Sequence, residues 1–232
     1  MSRFIVSNSG LKQFFSGCPA KWTFYKKYSL AVPPKPLAFG IAVHEAVEEG
    51  LSQPHYEDPY VYEIASKMLR VLKNRGYKII DREINHLAPL TKDIWVAGRI
   101  DLVAELDGLP VLVDWKTAAR NWSKIKTEDG EVHFPQDETI QGTIYTTPPP
   151  RASAWSDDLH YIVVPRNGVS KIHEYHRNEE DVQNLIRLAT LMKDASDRGW
   201  FPKMKGYQCL KCDWKDACWQ TKNWETKYVE RN

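Results

Sequence analysis

Residues 94–117 read IWVAGRIDLVAELDGLPVLVDWKT. Apolar residues recur on both sides of Asp107-Gly108, a dipeptide that closes two-residue hairpins because both positions tolerate positive φ. The stretch predicts two antiparallel strands, Ile94–Leu106 and Leu109–Lys116. Residues two apart in a strand share a face, so Asp114 and Lys116 project together, while Asp101 lies in the partner strand among apolar neighbours. An acid among apolar residues is costly unless it is paired or bound to metal. Two carboxylates on adjacent strands suit a hard cation such as Mg²⁺ or Mn²⁺, and a lysine beside them can orient or deprotonate a water. A structural ion pair of Lys116 with Asp114 or Asp101 would satisfy the same pattern.

The neighbouring segments alternate between helical and strand periods. A first helix is expected from Ser7–Ser9, with Leu11, Phe14, Phe15 and Cys18 at helical spacing, and Pro33, Pro34 and Pro36 close this opening region. A second runs from about Gly40 with Val43, Ala46 and Val47 inward and His44 on its flank. A third follows Asp58-Pro59, carrying Val61, Ile64, Ala65, Met68, Leu69 and Leu72 on one stripe. Past Gly76, Tyr77–Leu87 has the period of a strand. A polar stretch from Thr117 to Pro135 reads as a long loop, and Asp137–Tyr145 as a short helix stopped by Pro148, Pro149 and Pro150. Gln141 and Tyr145 share a face of that helix, where an amide and a phenol could hold a phosphate, a base edge or a carboxylate. Strands Leu159–Pro165 and Val169–His176 flank Asn167-Gly168. A last amphipathic helix is expected from Asn178 to just before Gly199. This order predicts an α/β fold with a mixed sheet covered by helices on its faces.

The 232 residues are enough for one compact unit with a buried core. Hydrophobic residues at 42%, charged residues at 27% and nine Trp exclude a disordered or fibrous chain. No apolar run reaches the roughly 18 residues needed to cross a bilayer, and the start lacks a secretory signal, so no membrane association and a cytoplasmic location are expected. The net charge of +2 hides an uneven distribution. Residues 1–40 carry six bases and no acids, residues 200–232 seven bases and four acids, and the middle 19 bases and 26 acids. Two basic ends brought together beside an acidic centre would suit a protein that grips phosphates and holds metal ions. Cysteine supplies a candidate fastener: Cys18 near the start, and Cys209, Cys212 and Cys218 as C-x2-C-x5-C near the end. Four thiolates can close a zinc site or ligate an iron–sulfur cluster, and spacing alone does not choose between them.

The ordered set His44, Asp101, Asp114-Trp115-Lys116 and Gln141-Gly-Thr-Ile-Tyr145 resembles the RecB-like branch of the PD-(D/E)XK nucleases, whose pattern is H…D…(D/E)-x-K…Q-x-x-x-Y. Together with Cys18, Cys209, Cys212 and Cys218 it resembles the iron–sulfur exonucleases of that branch, the AddB nuclease domain and the CRISPR-associated four-cysteine exonucleases. The resemblance implies a restriction-endonuclease-like core over residues 40–198 and a cluster-bearing part formed by 1–38 and 200–220, all in one nuclease domain. It implies that His44, Asp101, Asp114 and the Trp115 carbonyl hold Mg²⁺ or Mn²⁺. Lys116 would position and help activate the attacking water, Gln141 and Tyr145 would orient the strand or support the site, and the four Cys would hold a [4Fe–4S] cluster, with zinc as the other occupant. The implied activity is metal-dependent exonucleolytic hydrolysis of single-stranded DNA or DNA ends in recombination, repair, phage replication or CRISPR adaptation. A helicase, recombination or CRISPR integration partner would fit that setting. Arg120, Trp122, Lys124 and Lys126 would lie against DNA, and Trp122 or Trp214 could stack bases. A non-catalytic nucleic-acid-binding or assembly subunit on the same fold is the alternative.

Overall fold

The structure is a computed structural model that describes residues 3–15, 17–49, 58–118, 125–126, 132–133, 136–150, 152, 155–221 and 223–231. The elements in chain order are β1 (Phe4–Val6), α1 (Asn8–Phe15), α2 (Ala20–Lys27), β2 (Tyr28–Leu30), α3 (Lys35–Glu48), α4 (Pro59–Arg75), β3 (Lys78–Pro89) and β4 (Ile94–Leu106). They continue with β5 (Leu109–Ala118), β6 (Ile125–Lys126), β7 (Val132–His133), α5 (Gln136–Thr146), β8 (Asp158–Pro165), β9 (Lys171–His176), α6 (Glu179–Asp197), α7 (Lys215–Trp219) and β10 (Tyr228–Glu230).

Local chemistry explains the boundaries. The Asp58 carboxylate accepts the Tyr60 N–H at 2.9 Å and starts α4, and Gly76 in the left-handed region (φ 79°) ends it. The Asn178 side chain accepts the Asp181 N–H at 2.9 Å and starts α6. Asp107 and Gly108, at φ 52° and 84°, form the two-residue turn between β4 and β5. Helix α3 begins earlier than Gly40 because Pro36 sits in its first turn, where a missing N–H costs nothing. The opening region differs from a single helix: α1 stops at Phe15, Gly17 takes φ 88°, and Cys18 lies outside both α1 and α2. Of the stretch read as a loop after Thr117, the described residues include the antiparallel pair β6–β7. Arg120, Trp122 and Lys124 lie outside the described residues.

The central sheet is mixed and flanked by helices, an α/β fold as its element order predicts. Its path is β1-β4-β5-β8-β9, with β3 also paired to β4. Strand β3 runs antiparallel along one edge of β4. The other edge is divided, with β1 parallel to Ile94–Val96 and β5 antiparallel to Leu102–Leu106. Strands β5 and β8 are parallel, joined through α5, and β9 returns antiparallel to β8.

Two apolar layers hold the sheet. One packs Leu11 and Phe14 of α1, Ile140 and Ile144 of α5, and Leu185 and Met192 of α6 against Val96, Ile100 and Leu112. The other packs Val43 and Val47 of α3 and Ile64 and Met68 of α4 against Leu102, Val113 and Trp115. A smaller cluster of Tyr28, Trp214, Ala217 and Tyr228 lies at the joined chain ends, where β2 pairs antiparallel with β10. Among the described residues no helix is long and apolar enough to cross a membrane.

Close approach of α5 to β9 requires Gly142. A β-carbon there would lie 2.6 Å from the Tyr175 ring, whose hydroxyl bonds Thr143 and the Asp181 carboxylate. Gly142→Ala is therefore expected to destabilise the fold by about 1–3 kcal/mol through overpacking, read as a lower denaturant midpoint at unchanged m.

Candidate active site

The β4–β5 ladder ends at Leu102↔Val113. Beyond it the two strands fork, and the Asp101 side chain takes over: its Oδ2 accepts the Trp115 N–H at 2.7 Å. The N–H and C=O of one strand residue face the same edge, so the Trp115 carbonyl opens on the Asp101 side. The strand changes face at this point. Even-numbered Val96 and Ile100 belong to the α1/α5/α6 layer, whereas even-numbered Leu102 and Ala104 belong to the α3/α4 layer. Opposite the change, β3 pairs Arg82 with Leu102 and Ile84 with Ile100, leaving Glu83 beside Asp101 in the left-handed region at φ 51°. Such backbone is costly for a non-glycine residue and concentrates at functional sites.

His44 reaches the same place from α3, its Nδ1 3.4 Å from Asp101 Oδ1. His44, Glu83 and Asp101 each offer a ligand atom, and these atoms lie within 4.8 Å of one another. Glu83 is the residue that the sequence reading missed. Its signal was available only through pairing, since Tyr77–Leu87 laid antiparallel on the Asp101 strand brings an acid beside an acid.

Asp114 points into the fork from β5 and is buried, at 2% exposure. Its Oδ1 accepts from Gln141 Nε2 at 3.0 Å, and its Oδ2 sits 2.8 Å from Lys116 Nζ. That second contact is an ion pair outside hydrogen-bonding alignment, so Oδ2 retains unused acceptor capacity. Lys116 donates to Gln141 Oε1 at 2.6 Å, and Gln141 Nε2 donates to the Tyr145 hydroxyl at 3.0 Å. Four sequence-selected residues thus interlock, with Gln141 bridging acid, ammonium and phenol. All of them, with His44, Asp101, Glu83, Trp115 and Arg99, line one cleft of about 670 Å³.

The charges in this cleft perturb one another. Burial, reinforced by the Asp101 charge against the opposing Lys116, pushes Asp114 up to about 7. Burial also raises Glu83, again with Asp101 adding to it, while Arg99 at 2.5 Å works the other way. Burial pulls His44 down, but its hydrogen bond to Asp101 and the surrounding carboxylates more than offset this and hold it above the usual range. Lys116 likewise overcomes its burial through Asp114 and stays above the ordinary lysine value, so it is an ammonium at neutral pH. Acidic oxygens, an imidazole, an unused carboxylate acceptor and an open backbone carbonyl form a donor set that fits a hard divalent cation.

The four cysteines also meet. Cys18, Cys209, Cys212 and Cys218 are free thiols that line a single cavity of about 280 Å³ with Lys21, Lys203, Lys205 and Lys215. Cys18 Sγ accepts the Met204 N–H at 3.5 Å, which ties the first segment to the chain ahead of the triplet. Burial raises the thiols of Cys212 and Cys218. Trp214 does not serve as a base-stacking platform: it is buried, stacked at 5.6 Å on Tyr228, and its Nε1 donates to Gln13.

The sequence from residue 55 to 219 matches the PD-(D/E)XK nuclease superfamily. The chain belongs to this superfamily. Its fold is similar to that of a candidate exonuclease from Eubacterium rectale, with a TM-score of 0.62 at 13% identity, covering 93% of this chain and 87% of that one. More distant are SSO0001 (TM-score 0.43, 12% identity, 94% and 87% coverage) and LHK-Exo solved with dAMP (0.37, 10%, 84% and 89%). No curated protein matches.

Three groups of this cleft, Asp114, Glu83 and His44, hold their protons more tightly folded than unfolded. Unfolding of metal-free protein therefore releases protons, and stability falls as pH rises through them. For Asp114 the contribution is complete below about pH 3.8 and is lost as pH passes about 7. The urea midpoint in chelator is expected to drop from pH 5 to pH 8, and Asp114→Asn to lessen that drop. A profile identical in the variant would refute the raised proton affinity.

Proposed function

We propose that this chain is a divalent-metal-dependent DNA exonuclease of the RecB-like branch, hydrolysing phosphodiester bonds of single strands or DNA ends. The observation that carries the reading is the interlocked Asp114, Lys116, Gln141 and Tyr145 set beside His44 and Asp101 in one cleft. His44, Asp101, Asp114 and the Trp115 carbonyl would hold Mg²⁺ or Mn²⁺, and Glu83 joins this set from β3. When bound, the cation supplies Lewis-acid chemistry at the scissile phosphate.

The protein's own groups do the remaining work. Lys116 is charged, so it orients the attacking water and faces negative charge developing on the phosphate; it is not the group that removes the proton. Asp114 and Gln141 hold its ammonium in place, and Tyr145 holds the Gln141 amide. Hydrolysis then forms one P–O bond from water and breaks the ester P–O bond, the leaving oxygen taking a proton. We read residues 1–232 as one nuclease domain acting in the cytoplasm on DNA ends, the substrate common to recombination, repair, phage replication and CRISPR adaptation. Helicase, recombination or integration proteins are the partner classes that would deliver such ends.

With zinc as the other occupant considered, the four thiols gathered on one cavity support the reading that they hold a [4Fe–4S] cluster. Four lysines around the cavity suit its anionic charge.

On end-labelled strands with Mn²⁺ or Mg²⁺, the protein is expected to give a product ladder that chelator abolishes. Lys116→Ala should lower cleavage at least about 100-fold while strand binding persists, as for loss of one charge-stabilising donor. Uncut strand with fresh anaerobic protein, or an active Lys116→Ala, would overturn the reading. Anaerobically purified protein should be brown with broad visible absorbance, and Cys212→Ser should bleach it; a colourless, zinc-loaded protein would defeat the cluster.

A further inference from the structure

A second groove of about 510 Å³ adjoins the catalytic cleft. The two share Pro36, at the start of α3, and Thr117, the residue after Lys116. Lys35, Phe39 and Arg166 line its far side. In the β5–β8 register Val163 lies beside Lys116, so Arg166 stands three residues farther on, about 10 Å at the strand rise.

The Arg166 guanidinium rests on two aromatic rings, 5.1 Å from the centroid of Phe39 and 5.0 Å from that of Tyr60. Among the described residues no carboxylate pairs with Arg166 or Lys35, and both are exposed. Among the described residues the groove has one acid, Asp58, whose Oδ1 accepts the Tyr60 N–H as the α4 cap. Ring stacking fixes the plane of a guanidinium while leaving its five N–H donors along the edge, an arrangement matched to phosphate oxygens. Aromatic carbon beside basic heads is also the combination that holds single strands without reading their bases.

We infer that this groove is a strand-binding subsite: Arg166 and Lys35 take the backbone phosphates of a single-stranded nucleic acid beyond the scissile bond, and the strand runs out of the catalytic cleft past Pro36 and Thr117. The assignment rests on the nuclease reading for the cleft, but its own evidence is the continuity of the grooves and a ring-supported cation that no carboxylate pairs among the described residues. It sets a length dependence, since a dinucleotide spanning the cleft ends before Arg166 whereas a longer strand reaches it.

The test is fluorescence anisotropy of a labelled oligothymidylate with Ca²⁺ over a range of salt, for the full-length protein, Arg166→Gln, Arg166→Lys and Lys35→Gln. Arg166→Gln should bind about tenfold more weakly, the loss expected for one charge-assisted contact, and the salt slope should fall by about 0.7 for each cation removed. Arg166→Lys should keep the slope while losing part of the affinity. With Mn²⁺, the ratio of kcat/KM for the oligothymidylate to that for thymidylyl-thymidine should drop in Arg166→Gln. Equal slopes in wild type and variant, or an unchanged ratio, would overturn the subsite. A protein that binds the strand with the predicted slopes but cleaves neither substrate would retain the subsite and refute the nuclease reading instead.

Discussion

One carboxylate substitutes for a rung of the sheet. Asp101 Oδ2 takes the Trp115 N–H at the place where β4 and β5 part, so the fork closes on a side chain and not on a backbone carbonyl. A main-chain donor left unpaired in an interior is expensive, and here its partner is an acid whose second oxygen still faces His44. The same group thus holds the strands at a fixed opening and presents an anionic oxygen to the cleft. Because Asp114 and Lys116 lie beyond the fork, their positions depend on where Asp101 ends the ladder.

The cost of this arrangement is electrostatic. Glu83, Asp101 and Asp114 converge in a partly dehydrated cleft, and two of them are driven to hold protons that free carboxylates would release. Lys116, Arg99 and His44, whose proton affinity the carboxylates raise, offset the repulsion without removing it. A site that is strained in the absence of a cation and relieved by one links affinity to pH, because metal must displace protons from the groups that would hold it. The Gln141 amide gives the arrangement its order. With oxygen toward Lys116 and nitrogen toward Asp114 and Tyr145, it can be satisfied in only one orientation.

Much of this was legible in the chain because it follows from local rules. Asp58 and Asn178 cap helices, Asp107-Gly108 turns the hairpin, and the two-residue period puts Asp114 with Lys116. What the rules did not reach arises where a period breaks. Strand alternation assumes a regular pleat, and β4 reverses its faces around Asp101 opposite the left-handed Glu83, so neither the reversal nor the convergence of the two acids can be derived from spacing. Trp214 was misjudged for a related reason. Composition marks an aromatic in a basic segment as a stacking platform, but Tyr28 and Tyr228, brought together by the β2–β10 pairing of residues some 200 apart, bury it. Contacts of that range leave no local periodic trace.

Those long-range contacts also explain why the two basic ends belong to one surface. Pairing Tyr28 with Glu230 and bonding Cys18 to Met204 brings chain segments together whose like charges would otherwise keep them apart. The joined ends are held by a three-residue strand pair and a small aromatic cluster, and short paired ribbons are marginal in water on their own. A ligand held by all four thiols would cross-link Cys18 to the triplet across most of the chain, and long closures of this kind restrict the unfolded ensemble most strongly. The lysines around the cavity then change role: without a bound anion they repel one another, and with one they become its counter-charges. An occupant of the cysteine cavity would in this sense stabilise the joined ends, just as a cation would relieve the acidic cleft.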